Sequence, residues 1–118
     1  MPGKGQPVRV ALVEDDANVR EGLRLLIDSS STCACVGAFG SAEQALDSLP
    51  SLEVDVVLMD ISLPKMSGIA CIRELKRRNP RFQIMMLTIF EDHDRIFQSL
   101  AAGASGYLLK QTPPSKLL

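Results

Sequence analysis

Four polar positions, each closing an apolar run, carry the chemistry of this chain: Glu14-Asp15 after VRVALV, Asp60 after VDVVLM, Thr88 after FQIMML and Lys110 after GYLL. As ends of parallel strands in one open sheet they would share its carboxyl edge, so residues far apart in sequence would converge there. Carboxylates, a hydroxyl and an ammonium group on one edge suit phosphoryl transfer to a carboxylate, assisted by a divalent cation. The triplet Glu14-Asp15-Asp16 offers the oxygen ligands a hard cation takes. Mg²⁺ is the usual choice where phosphate chemistry is also required, and Mn²⁺ is its common substitute. Asp15 or Asp16 could also cap a following helix, but capping leaves Asp60 unexplained. An acid ending the most hydrophobic strand costs on the order of several kcal/mol unless it is solvated, paired or metal-bound.

The elements that must position these groups follow from the pattern. Apolar runs alternate with helical patterns along the whole chain, which predicts an α/β domain with a parallel sheet. Strands are expected at about 8–13, 34–39, 55–60, 82–88 and 106–109. VVLM and IMML are nearly continuous apolar runs, as central strands covered on both faces require. The first helix should span 17–29, with Val19, Leu23, Leu26 and Ile27 on one stripe. The second opens at Ser41, where Ser41-x-x-Gln44 has the capping-box pattern. The third carries Ile69, Ile72 and Leu75 and ends at Asn79-Pro80, because a residue before proline disfavours the helical region. Its basic close, Lys76, Arg77, Arg78 and Arg81, suits the helix dipole and reads as a solvated end. The fourth follows Asp92 or Asp94, turns Ile96 and Leu100 inward and stops at Gly103. Thr112-Pro113 looks like the cap and first position of a fifth helix, truncated after barely one turn.

The 118 residues fit one domain, expected over 8–118 behind a polar lead or expression scar at 1–7. Hydrophobic residues make up 46% and charged ones 23%, a globular balance, and the longest apolar stretches are far too short to cross a bilayer. The opening MPGKGQP lacks the apolar stretch of a signal peptide, so cytoplasmic residence is expected. A net charge of −1 gives no reason to expect nucleic-acid binding by this segment. Cys33, Cys35 and Cys71 lack C-x-x-C spacing and read as reduced, mostly buried thiols. His93 has no second ligand nearby and reads as a solvent-facing loop or helix-start residue.

Taken in order, the segments LVEDDANVREGLRLLI, VVLMDISLPKMSGI, MMLTIF and AAGASGYLLK resemble the receiver domains of two-component response regulators. The likeness is to the CheY-like group, in particular the LuxR/FixJ/NarL type found ahead of helix-turn-helix outputs. It runs from Val8 to Lys110 and implies a doubly wound five-stranded sheet of flavodoxin-like order 2-1-3-4-5. Helices one and five would lie on one face, and two, three and four on the other. It makes Asp60 the phosphoacceptor for a histidine kinase or phosphotransfer protein. Glu14, Asp15, Asp60 and the Ser62 backbone carbonyl would hold Mg²⁺, Glu14 through a coordinated water. Lys110 would contact the phosphoryl group, Thr88 would be the switch hydroxyl, and Tyr107 the aromatic that follows it. Ser62 and Phe90 would flank the path of attacking water. The domain would thus be no separate enzyme, yet would catalyse its own phosphorylation and dephosphorylation. Homodimerisation would use helix four and strand five, and DNA would be reached only through an output domain absent from this chain. Pro64 and Gly68 would shape the loop after Asp60. At position 111 the chain has Gln where many receivers have proline.

Rival readings fit less well. A dinucleotide-binding domain needs G-x-G-x-x-G after the first strand, where this chain is acidic and glycine-free. A flavodoxin-like flavin carrier needs a Ser/Thr/Gly-rich phosphate loop at the same place. A haloacid-dehalogenase-type phosphatase needs a second acid two residues after the nucleophile, and position 62 is serine. A receiver-like docking module that is never phosphorylated is the alternative, disfavoured by intact Asp15, Asp60, Thr88 and Lys110.

Overall fold

Strands form where the chain supplies runs of mainly apolar residues, at β1 (Val8–Val13), β2 (Cys33–Phe39), β3 (Val56–Asp60), β4 (Gln83–Thr88) and β5 (Gly106–Leu109), and the runs are most deeply buried in the central strands. Between them run α1 (Ala17–Ser29), α2 (Ala42–Ser48), α3 (Gly68–Arg78) and α4 (His93–Ala102), with a one-turn 3-10 helix at Leu49–Ser51. A computed structural model describes residues 6–61, 63, 67–88 and 93–109, with 88, 93, 95 and 109 described by their backbone alone. Ser62, Pro64, Phe90, Asp92, Lys110 and the expected fifth helix at Thr112-Pro113 lie outside the described residues.

All strand pairs are parallel and the order is β2-β1-β3-β4-β5, the doubly wound flavodoxin-like order expected. Alternate residues serve opposite faces. Ala11, Val13, Val57, Met59, Ile84 and Met86 form the main core with Ala42, Ala45 and Leu46 of α2 and Cys71, Ile72 and Leu75 of α3. The other face presents Val8, Val10, Val56, Leu58, Met85 and Leu108 toward a groove that Ile27 of α1 helps to line.

The helix boundaries have local causes. Asp16 caps α1, its carboxylate accepting from Asn18 N at 2.9 Å and Val19 N at 3.2 Å. Ser41 caps α2 through Gln44 N at 3.2 Å, but Gln44 reaches back to Gly40 N at 3.0 Å, one residue before the position a capping box uses. Ser67 caps α3 through Ala70 N at 3.2 Å. At the basic close of α3, Lys76 is drawn inward to donate to the carbonyls of Pro80 and Phe82 at 2.7 and 2.9 Å, tying the helix end to the loop before β4. Arg77 and Arg78 both hold Glu74, whose carboxyl their guanidinium groups pull down to about 2.

Helix α4 begins at His93, as expected of a helix-start residue, and stops at Gly103, whose φ of +122° only glycine adopts readily. Its inward face departs from expectation. Ile96 and Ser99 are buried, whereas Leu100 is 44% exposed, so the buried stripe follows the three-residue spacing and leaves Leu100 turned away. On α1 the periodic stripe is narrower than expected. Ile27 is buried, Leu23 and Leu26 are half-buried and Val19 is exposed.

Strand β2 forms an edge and shows it. Cys33 and Cys35 are only half-buried, not buried as expected, because no further strand covers that side. Cys71 is buried in the core, where desolvation raises its thiol to about 12. The pairing with β1 is irregular, since Val10 faces Cys35 and Ala11 faces Gly37, leaving Val36 over. Beside this bulge the Cys35 N–H donates to Asp28 Oδ1 at 2.8 Å, and Arg24 holds the other Asp28 oxygen at 3.3 Å.

At the amino edge of the sheet, Asp55 joins β3 to β1. Its carboxylate accepts from Arg9 N at 2.8 Å, Nε at 3.2 Å and Nη2 at 3.1 Å, and its own N–H donates to Arg9 O at 2.8 Å. The Arg9 side-chain bond, with the Arg9 backbone N–H next, holds the Asp55 carboxyl below its usual value. A depressed folded value means that this contribution is complete above the unfolded pKa, about 3.9, and is lost as the pH falls through the folded one. Asp55→Asn should therefore be less stable than wild type in urea at neutral pH, with the gap closing in acid. A gap of constant size across that range would contradict the linkage.

Candidate functional site

Two strands deliver three acids to the carboxyl edge. Strand β1 ends at Val13, which pairs with Met59 of β3, so Glu14 and Asp60 each stand one residue beyond a paired position on neighbouring strands. Glu14 is fully buried, Asp60 is 2% exposed and Asp15 is exposed, and one carboxylate oxygen from each lies within 4.8 Å of the others. This is a donor set of oxygens only, two from the interior and one from the solvent side. It fits a hard divalent cation that keeps part of its water shell. Asp16, the third acid of the triplet, is committed to the α1 cap.

The surrounding backbone is tightly placed. Glu14 N donates to Phe39 O of β2 at 2.9 Å, and Asp16 N donates to Glu14 Oε2 at 3.2 Å. Beyond Asp60, which pairs with Leu87, the ladder continues through Ile61 N to Leu87 O at 3.1 Å. Gly68 opens α3 directly against this segment. A Cβ there would collide with the Asp60 carbonyl and stand 3.0 Å from Ile61 Cα, so only glycine lets the two backbones approach this closely.

Thr88 ends β4 one residue past the partner of Asp60 and pairs with Leu109, placing its backbone at the same edge; its side chain lies outside the described residues. Ser62, Phe90 and Lys110 lie outside them altogether. Tyr107 of β5 pairs with Met86 of β4 and is 37% exposed, and Phe97 and Leu100 of α4 are exposed as well.

A contact that the sequence analysis did not anticipate joins the acidic segment to α1. Arg20 Nη1 donates to the Glu14 carbonyl at 2.8 Å. The available signal was its place on the first full turn, where a long side chain leans back toward the helix start. Ser67 was missed too, since no Glu or Gln stands three residues later to complete a capping box.

Against known families, residues 10–118 match the model for the response regulator receiver domain. The chain belongs to that family. Curated relatives of this receiver domain include the nitrate/nitrite response regulator protein NarP of Escherichia coli (strain K12). NarP is 34% identical over 112 residues, covering 95% of this chain and 52% of the relative. The receiver domain spans about half the length of the curated relatives it matches. Among solved structures, a LuxR-family two-component response regulator from Aurantimonas sp. SI85-9A1 superposes with a TM-score of 0.89 at 31% identity, covering 95% of this chain and 80% of the other. The isolated receiver domain of RcsB from Salmonella enterica serovar Typhimurium, determined with the phosphomimetic BeF3-, gives 0.84 at 27% identity over 95% and 83%. The domain is therefore a receiver of the NarL/LuxR type. No helix among the described residues is long and apolar enough to cross a membrane.

Proposed function

We propose that this receiver accepts a phosphoryl group on Asp60 from a phosphohistidine of a histidine kinase or phosphotransfer protein, in a step that requires Mg²⁺. The observation that carries the reading is the convergence of Glu14, Asp15 and Asp60 oxygens at the carboxyl edge. Asp15 and Asp60 would hold the cation directly, with the Ser62 carbonyl, and Glu14 through a water. Bound there, Mg²⁺ would neutralise charge on the transferring phosphoryl group. An Asp60 oxygen attacks phosphorus, an acyl phosphate bond forms, the P–N bond to the donor imidazole breaks, and that nitrogen leaves as neutral imidazole after protonation. Lys110 contacts a phosphoryl oxygen. Thr88 donates its hydroxyl to another, drawing the following loop inward, and Tyr107 follows. Ser62 and Phe90 flank the water that later hydrolyses the acyl phosphate, so the domain catalyses both its charging and its discharge. The RcsB receiver structure with a phosphomimetic supports this reading by likeness.

The downstream role rests on the curated relatives, whose names are those of transcription regulators and of which this chain spans about half. The receiver would act in the cytoplasm, pair with a second copy through α4 and β5, and control a DNA-binding output domain outside the given sequence. The test is incubation with acetyl phosphate and intact-mass measurement. One phosphoryl increment should appear with Mg²⁺ and none after chelation. Labelling that ignores the cation would overturn the reading.

A further inference from the structure

We infer that Arg20 is a positioning residue for the acidic segment: its bond to the Glu14 carbonyl holds the Glu14–Asp15 peptide in the plane that keeps both carboxylates converged on Asp60. The inference rests on the cation-binding reading of that site.

The geometry runs from the helix upward. Arg20 N donates to Asp16 O at 2.8 Å, the first hydrogen bond of α1, so the backbone of Arg20 is set by the capped start of the helix. A helical side chain leans toward the helix start, and this one spans the first turn to reach Glu14 O at 2.8 Å, six residues earlier. That oxygen belongs to the peptide linking Glu14 to Asp15. Fixing it fixes the last backbone torsion of Glu14 and the first of Asp15, and with them the relative direction of the two side chains. The two flanks are already held, since Glu14 N is bound to Phe39 O and Asp16 N to Glu14 Oε2. The carbonyl between them is held by Arg20.

The opposite wall of this arrangement is Gly40, in the turn before α2. A Cβ at Gly40 would stand 3.1 Å from Arg20 Nη1 and 3.7 Å from Gln44 Oε1, so the absence of a side chain there makes room for the guanidinium. The half-buried Arg20 thus lies between the β1–α1 and β2–α2 connections, braced against one and bonded to the other.

The sign of the effect separates positioning from bulk charge. A cation bonded to the backbone of the acidic segment repels an incoming Mg²⁺, so deleting Arg20 should tighten metal binding if charge alone mattered. Positioning predicts the reverse. A charge-assisted hydrogen bond to a main-chain oxygen is strong enough that its loss should weaken Mn²⁺ binding by about tenfold in Arg20→Met. Arg20→Lys, which keeps the charge without the planar fork, should fall between Arg20→Met and wild type. Gly40→Ala leaves every charge in place and crowds only the guanidinium, and should weaken binding by about two- to threefold, the lower range of a hydrogen-bond effect.

The experiment is Mn²⁺ titration of each folded variant by calorimetry, with folding checked by circular dichroism. Asp55→Asn, which loosens the far edge of the sheet, serves as the stability control and should bind Mn²⁺ as wild type does. Should Arg20→Met fail to fold, Arg20→Lys and Gly40→Ala carry the test. Wild-type binding with unchanged or tighter binding in the Arg20 and Gly40 variants would overturn this inference alone. Equal weakening in Asp55→Asn would also overturn it, reducing Arg20 to a general stabiliser. A wild type that binds no Mn²⁺ would overturn the reading of the site and this inference with it.

Discussion

Asp60→Asn should leave the receiver folded and unable to take up a phosphoryl group. Asparagine matches aspartate in volume, so the enclosed position at the end of β3 stays filled, and no large side chain has to move. What changes is chemistry. An amide oxygen is a far poorer nucleophile than a carboxylate, and the cluster with Glu14 and Asp15 loses one of its three anionic ligands. Both effects act in the same direction, and the expected result is complete loss of the phosphoryl increment in intact mass after acetyl phosphate and Mg²⁺, with an unchanged circular dichroism spectrum. Wild-type-like labelling of the variant would move the acceptor to another side chain.

The second large effect concerns which acids of the triplet bind metal. Asp15→Asn should weaken Mg²⁺ or Mn²⁺ binding by about tenfold or more, each tenfold step being about 1.4 kcal/mol. Asp16→Asn should change it by less than about twofold, because that side chain is engaged with Asn18 N and Val19 N, and asparagine caps a helix about as well as aspartate. Asp16→Ala should instead cost about 1 kcal/mol of stability through the lost cap. A calorimetric titration of the two asparagine variants gives the order directly. If position 16 proved the more sensitive, Asp15 and Asp16 would have exchanged roles.

The sheet was legible because central parallel strands cannot tolerate polar residues except where they emerge, so an acid or hydroxyl after VDVVLM or FQIMML marks both a strand end and a shared edge. Acids at such strand ends are also the ones that meet, which is why the sequence alone groups Glu14, Asp15 and Asp60. Periodicity was less informative about depth. It put Val19 and Leu100 on inward stripes, yet the extent of a buried stripe depends on what packs opposite, and both side chains are substantially exposed. Nor could composition choose between Asp15 and Asp16 as the cap. That choice depends on which carboxylate meets the first free N–H groups of α1, and Asp16, immediately before Ala17, does so. The contact from Arg20 was only half legible for a related reason: its place on the first turn gave the direction of the side chain but not its partner. Its partner is a main-chain oxygen, which has no residue type to recognise.

The outer rim of β2 bears on how this chain behaves in a crowd. A seven-residue rim reading CACVGAF, with no lysine or proline to repel a neighbour, is the kind of segment that recruits a stray strand and grows into fibrous aggregates. Here one of the donors an incoming strand would use is already spent, because Asp28 occupies the Cys35 N–H and is itself clamped by Arg24. The extra residue at Val36 puts the following donors and acceptors out of step with a straight partner. The β2 rim is thereby closed to a stray strand, with one carboxylate and one surplus residue serving in place of a charged rim.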